Sequence, residues 1–267
     1  MPAIQLARLK IQTAALVNKA YNPPEFVRAF VEFLDYYADR TYRPGRVRGE
    51  PPLSPAFFVP KPVLREVVKS LRPFAESNRE ATLQLADALW EQPYFESREL
   101  SACLLGLIQP DPAQPILARV SAWTRSPTEI RLVETLVTEG LKRVVSELPD
   151  RYFAAIKMWL ASPAVDLRRL GLKCLPPLLE SPSFHDLPAV FKVLTPLLRE
   201  APPMLRPDLF EVFQCLVRLS PHEAAYHLRQ NLNFETQDLN TRWVLHRCLR
   251  YLPRDLRAEF SERTRGS

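Results

Sequence analysis

Apolar residues recur along this chain at intervals of three and four, and nowhere alternate strictly over a convincing length. Phe26, Phe30, Phe33 and Tyr37 share one helix face by this spacing. Ile130, Val133, Val137, Leu141, Val144 and Leu148 do the same over five turns and predict one continuous helix. A chain written this way folds as amphipathic helices. Start signals agree: Ser126-Pro127-Thr128-Glu129 and Ser220-Pro221-His222-Glu223 both read as capping boxes with proline at the first helical position, and Asn22-Pro23-Pro24-Glu25 is a near variant. Pro176-Pro177 is expected to end or kink the helix before it. The chain has 27 prolines but only 6 glycines. Scarce glycine disfavours phosphate-cradling loops and tight hairpins, while proline suits the first turns of many short helices.

The helices repeat. Cys103-Leu104, Cys174-Leu175, Cys215-Leu216 and Cys248-Leu249 recur, and the spacing fits units of about 35–45 residues, the size of a helix-pair repeat. Upstream of three of these pairs an acidic residue precedes arginine: Glu96 and Arg98, Asp166 with Arg168 and Arg169, Asp238 and Arg242. The expected fold is therefore all-α, an α-solenoid of HEAT-like antiparallel helix pairs. Residues 1–39 form a first helix pair and 40–62 a loop or linker; 63–267 form the main stack, with 1–39 packed onto it as one domain. The 40–62 stretch is proline-rich, holds Gly45 and Gly49, and carries Arg40, Arg43, Arg46 and Arg48. It reads either as a basic arm for phosphates or as a solvated surface crossing.

Several chemistries find no support. The cysteines sit at matching apolar positions and include no CxxC pair, so they read as small core residues rather than disulfides or metal ligands. His185, His222, His227 and His246 lack metal-ligand spacing. No GxSxG elbow, P-loop or dinucleotide fingerprint is present. No cofactor and no metal are expected. No apolar run reaches the roughly 18–20 residues that span a bilayer, and the N-terminus lacks signal-peptide features, so a cytoplasmic protein is expected. The net charge is +6, carried mostly by arginine, whose planar fork suits phosphates.

Three segments in order then resemble one family. Phe58-Val59-Pro60-Lys61-Pro62-Val63-Leu64-Arg65 is similar to the "Gly-Val-x-x-Pro-x-Leu-Arg" opening of the HEAT-like repeat DNA alkylation-repair (alkylpurine DNA glycosylase) family. Leu89-Trp90, followed by Glu96, Arg98 and Glu99, resembles its Leu-Trp, acidic, Glu-x-Arg element. Trp159-Leu160-Ala161-Ser162-Pro163, running to Asp166, Arg168 and Arg169, resembles its Trp, Ser, then Arg at a helix start. The resemblance implies duplex DNA held on the concave face and excision of cationic alkylated purines. It also implies an aromatic box for the cationic base and an aspartate opposing the developing sugar cation.

This chain departs from that pattern at the chemistry. Where active members carry Trp-Trp-Asp-x-Val-Asp, it reads Pro127-Thr128-Glu129-Ile130-Arg131-Leu132. The catalytic aspartate falls near Leu132 and its tryptophan near Thr128. The catalytic residue is thus unknown, with Glu129, Glu134 and Trp123 the nearest candidates. Glu129 also reads as a capping-box residue and Trp123 as packing. The family's later tryptophan falls near Phe213, a core position by spacing, with Trp243 the alternative. Carried over as DNA-binding residues are Arg169, with Arg168 and Lys173 beside it, Arg98 one double-repeat earlier, and Arg131. For Arg169 an ordinary pair with Asp166 is the bland alternative.

Three functions follow. One is a protein gripping the backbone of double-stranded DNA in a concave basic groove, its base excision lost or altered. Another is an active DNA N-glycosylase for cationic alkylated purines. The last is a HEAT-repeat scaffold with a protein partner.

Overall fold

A computed structural model describes residues 5–41, 52–125, 128–200, 202–232 and 239–263. The arginines at 43, 46 and 48, Ser126, Pro127 and Asp238 lie outside the described residues. Among these residues every regular element is helical, and the fold is all-α. The chain divides into two compact units, residues 1–148 and 149–267.

The first unit contains α1 (Leu6–Val17), α2 (Pro23–Tyr37), α3 (Lys61–Ser77), α4 (Arg79–Trp90), α5 (Phe95–Leu105), α6 (Gln114–Arg125), α7 (Ile130–Thr135) and α8 (Lys142–Glu147). Helix α1 packs on both α2 and α3, α3 on α4 and α5, and α2 on α4. Alternate helices (α1 with α3, α2 with α4, α3 with α5) and successive ones (α1 with α2, α3 with α4, α4 with α5) thus pack together, the two-layer pattern of an α-solenoid. At α2 the sequence reading holds in detail. Asn22 accepts from the Glu25 N–H at 3.5 Å, and the rings of Phe26, Phe30, Phe33 and Tyr37 form a ladder with centroids 4.9–6.2 Å apart.

The five-turn helix expected from Ile130 to Leu148 is broken. Helix α7 gives way to a π-helical turn, Leu136–Gly140, and Leu141 (φ −100°, ψ 2°) separates that turn from α8. The cause lies on the facing helix. A Cβ on Gly106, at the end of α5, would stand 1.8 Å from the Glu139 carbonyl oxygen. One on Gly140 would stand 3.2 Å from that of Ala102. The two glycines let the backbones approach more closely than side chains allow, and the wider π turn follows that contact. The helix start also differs from the expected box. Glu129 occupies the N-cap position itself and makes no side-chain cap bond to α7.

The second unit contains α9 (Pro149–Leu160), α10 (Val165–Leu179), α11 (Leu187–Glu200), a 3₁₀ turn (Pro203–Leu205), α12 (Arg206–Leu219), α13 (Pro221–Leu232), α14 (Leu239–Leu249) and α15 (Arg254–Arg263). Here α10, α12 and α14 pack in succession as one layer, with α11 and α13 behind them. Three Cys-Leu pairs fall in this layer, one per helix. Cys174, Cys215 and Cys248 are buried reduced thiols, and burial pushes Cys174 and Cys248 up to about 12. Cys103 occupies the comparable place in α5, half-buried, and is likewise raised to about 12. Helix α10 does not end at Pro176-Pro177 but continues to Leu179. The prolines fall in its last turn, and the buried Leu178 and Leu179 beyond them keep the chain wound.

Candidate functional site

In the first unit the family-like segments meet around a buried carboxylate. Glu96, in the first turn of α5, is 3 % exposed and accepts the N–H of Phe57 at 3.2 Å and of Val59 at 3.4 Å. Between them Phe58 holds φ 56°, a left-handed backbone that suits glycine better than phenylalanine. The family pattern has glycine at that place. Glu129 does the same job one strand of chain earlier. Its carboxylate accepts from the Leu53 N–H at 2.9 Å and the Ser54 N–H at 3.2 Å. Two glutamates therefore tie the connection into α3 onto α5 and α7. No capping box is needed to explain Glu129.

Beyond Glu96 on α5 stands Glu99. Burial, then the nearby Glu96 carboxylate, raises it above the ordinary carboxyl value; Lys61 and Arg131 oppose the shift and Glu139 adds to it. Arg131 is exposed on α7, its guanidinium 4.9 Å from the Phe95 ring centroid. Glu134 is exposed on the same helix. Leu132, where the family aspartate would fall, is 0 % exposed. Trp123 is 9 % exposed and lies flat on Trp90, with centroids 4.5 Å apart and planes 7° from parallel. Arg98 completes that stack from the other motif. It lies 5.8 Å from the Trp90 ring, and its Nε donates to the carbonyls of Trp90 (3.2 Å) and Gln92 (3.0 Å). Arg98 thus holds the α4–α5 turn closed.

In the second unit Arg168, Arg169 and Lys173 come together on α10, and each meets a carboxylate. Arg169 reaches across to α12, its Nε 3.4 Å from Asp208 Oδ2, and donates to the Met204 carbonyl at 3.0 Å. Lys173 lies 3.2 Å from the other Asp208 oxygen. Arg168 pairs with Glu200 at 3.1 Å. Asp208, itself only 8 % exposed, sits in the first turn of α12 behind Pro207. The sequence reading passed over it; an acid just behind a helix-starting proline was the available signal. The face is a cluster of three cations and two carboxylates, with net positive charge.

Phe213 is buried in α12 at 1 % exposure, as its spacing required, whereas Trp243 on α14 is 52 % exposed. Among the described residues no three His, Cys, Asp or Glu side chains cluster as metal ligands, and no helix is long and apolar enough to cross a membrane.

Comparison with known proteins bears on both units. A family model described as "DNA alkylation repair enzyme" matches residues 54–206, more than half of the chain and including all three motif segments. No curated protein and no solved structure matches it.

Proposed function

The chain belongs to the DNA alkylation repair enzyme family, and we propose that within it this protein binds the backbone of double-stranded DNA through α10, with base excision lost. The observation that carries the reading is the grouping of Arg168, Arg169 and Lys173 on one helix, at the motif where the family resemblance implies a backbone-contacting arginine. Their two carboxylate partners hold the cations in place when DNA is absent. Phosphates then compete with Asp208 and Glu200 for donors that are already arranged, and counterion release drives the exchange.

Loss of excision rests on position rather than on residue type alone. A carboxylate near 132 would have to enter a fully buried site, where an unpaired charge is costly and shifts toward its neutral form. The neighbouring acid Glu129 is engaged by two backbone N–H groups, which leaves it poorly placed to oppose a sugar cation. Trp123 presents its ring to Trp90 rather than to a base.

Binding of a fluorescent duplex, with and without an N7-alkylated purine, tests the reading together with a base-release assay on the same DNA. The expected result is binding weakened by Arg169→Ala, with little preference for the lesion and no base released. Base release at enzymatic rates would restore the glycosylase. An Arg169→Ala variant that binds as tightly as the wild type would remove α10 from the interface.

A further inference from the structure

Four tryptophans occur in the chain, and three of them, Trp90, Trp123 and Trp159, are 9 %, 9 % and 4 % exposed. Trp243 alone among them is open to solvent, at 52 %. It does not stand by itself. Phe210 of α12 lies 6.1 Å from it, ring to ring, and Tyr251, just past α14, lies 6.3 Å from Phe210. The rings are tilted by 57° and 56°, so they form a stepped strip rather than a closed stack. The Arg206 guanidinium sits 5.1 Å from the Trp243 ring centroid. Two residues ahead of Arg206, Met204 is 62 % exposed, and its carbonyl receives Arg169.

From this juxtaposition we propose that α12 and α14 carry a stacking platform for unpaired nucleobases, so that the preferred nucleic acid has a single-stranded segment beside a duplex. The inference rests on the DNA reading above and adds the form of the DNA to it. Leaving an indole half in water forgoes apolar burial of the kind that stabilises the other three. Holding it there with an arginine and a second ring keeps one rigid aromatic surface in place, which suits a flat ligand.

Charge selects which flat ligand. Arg169 and Lys173 meet the first turn of the same helix, α12, at Asp208, a carboxylate already neutralised by those two cations. Arg206 adds another positive charge at Trp243 itself. Aromatic faces flanked by cations are how proteins hold single strands: bases stack on the rings while phosphates meet the arginines. A paired base cannot offer its face, so the strip reads unpaired segments only. The later tryptophan of the family pattern falls near Phe213, which is buried here, with Trp243 the alternative.

The test uses the full chain with three labelled probes of equal length: an oligothymidylate, an abasic strand carrying the same phosphates, and a blunt duplex. Anisotropy gives the affinities, and intrinsic fluorescence gives contact, because Trp243 is the exposed indole. The oligothymidylate should bind about tenfold or more tighter than the abasic strand and quench tryptophan emission. Trp243→Ala should bring the two single strands to equal affinity, and Trp243→Phe, which keeps a stacking face, should restore most of the difference. Equal binding of the two strands by the wild type, with the duplex still bound, overturns this inference and leaves the backbone reading intact. Failure to bind any probe at low salt overturns both and points to a protein partner for the strip. The wild-type comparison and quenching stand even if the alanine variant misfolds.

Discussion

Replacing Asp208 with asparagine should make the protein less stable and its grip on DNA tighter. The carboxylate lies 3.2–3.4 Å from both Lys173 and Arg169, and the side chains of Asp208 and Lys173 are only 10 % and 12 % exposed. At an effective dielectric near 20, each such pair attracts by about 5 kcal/mol before desolvation is counted. Desolvation cancels much of that, but removing one partner of a buried pair leaves the others uncompensated, which costs about 3–5 kcal/mol. Arg169 retains 27 % exposure and the Met204 carbonyl, and asparagine keeps one acceptor oxygen. The expected loss is therefore about 2–3 kcal/mol, or a fall in melting temperature of roughly 5–10 °C followed by circular dichroism. In the same variant the two cations lose their internal competitor, so duplex affinity should rise and its salt dependence steepen. The reasoning fails if Asp208→Asn melts within about 1 °C of the wild type. It fails equally if DNA binding weakens while the fold is retained.

Other consequences can be checked by melting alone. Gly106→Ala forces a Cβ to within 1.8 Å of the Glu139 carbonyl, backbone that cannot swing aside, so it should destabilise by at least the ~1–3 kcal/mol of an overpacked core. Gly171→Ala, whose Cβ would meet only the Leu160 side chain and the edge of its backbone, should cost less. His227 is buried against Phe191, and burial followed by the nearby Arg199 charge lowers its pKa from 6.5 to about 4. The unfolded chain then binds the proton more readily, so stability should fall as pH drops from about 6.5 toward 4. His227→Phe should lose that part of the acid sensitivity, and an unchanged pH–stability profile would refute the assignment.

The helices and their repeat were legible in the sequence because both are written locally. A 3.6-residue period, the Asn22 cap and the Cys-Leu pairs each depend on a few neighbouring residues, and α2, α10, α12 and α14 formed where those signals stood. What was not legible depends on distant partners. The π turn at 136–140 arises from the approach of Gly106 to Glu139, and no feature of the 130–148 pattern announces it. Glu129 looked like a capping residue because its spacing was right, yet Leu53 and Ser54, far away in the chain, supply the N–H groups it binds. The candidate site divides the same way. Arg168, Arg169 and Lys173 were found from a short motif, but the partner of Arg169 is Asp208 on the next helix of the layer rather than Asp166 on its own. Arg98 carries a similar motif but is bound to the carbonyls of Trp90 and Gln92, and spacing alone does not separate such an arginine from one that seeks phosphate.

The central claim, capture of a DNA backbone by the α10 cations, is tested most directly by the salt dependence of wild-type binding to a labelled duplex. Three cations exchanging their carboxylates for phosphates should give a slope of about −2.7 in log affinity against log salt, with binding tight at low ionic strength. A slope near zero, or no binding at the lowest salt, would contradict the account.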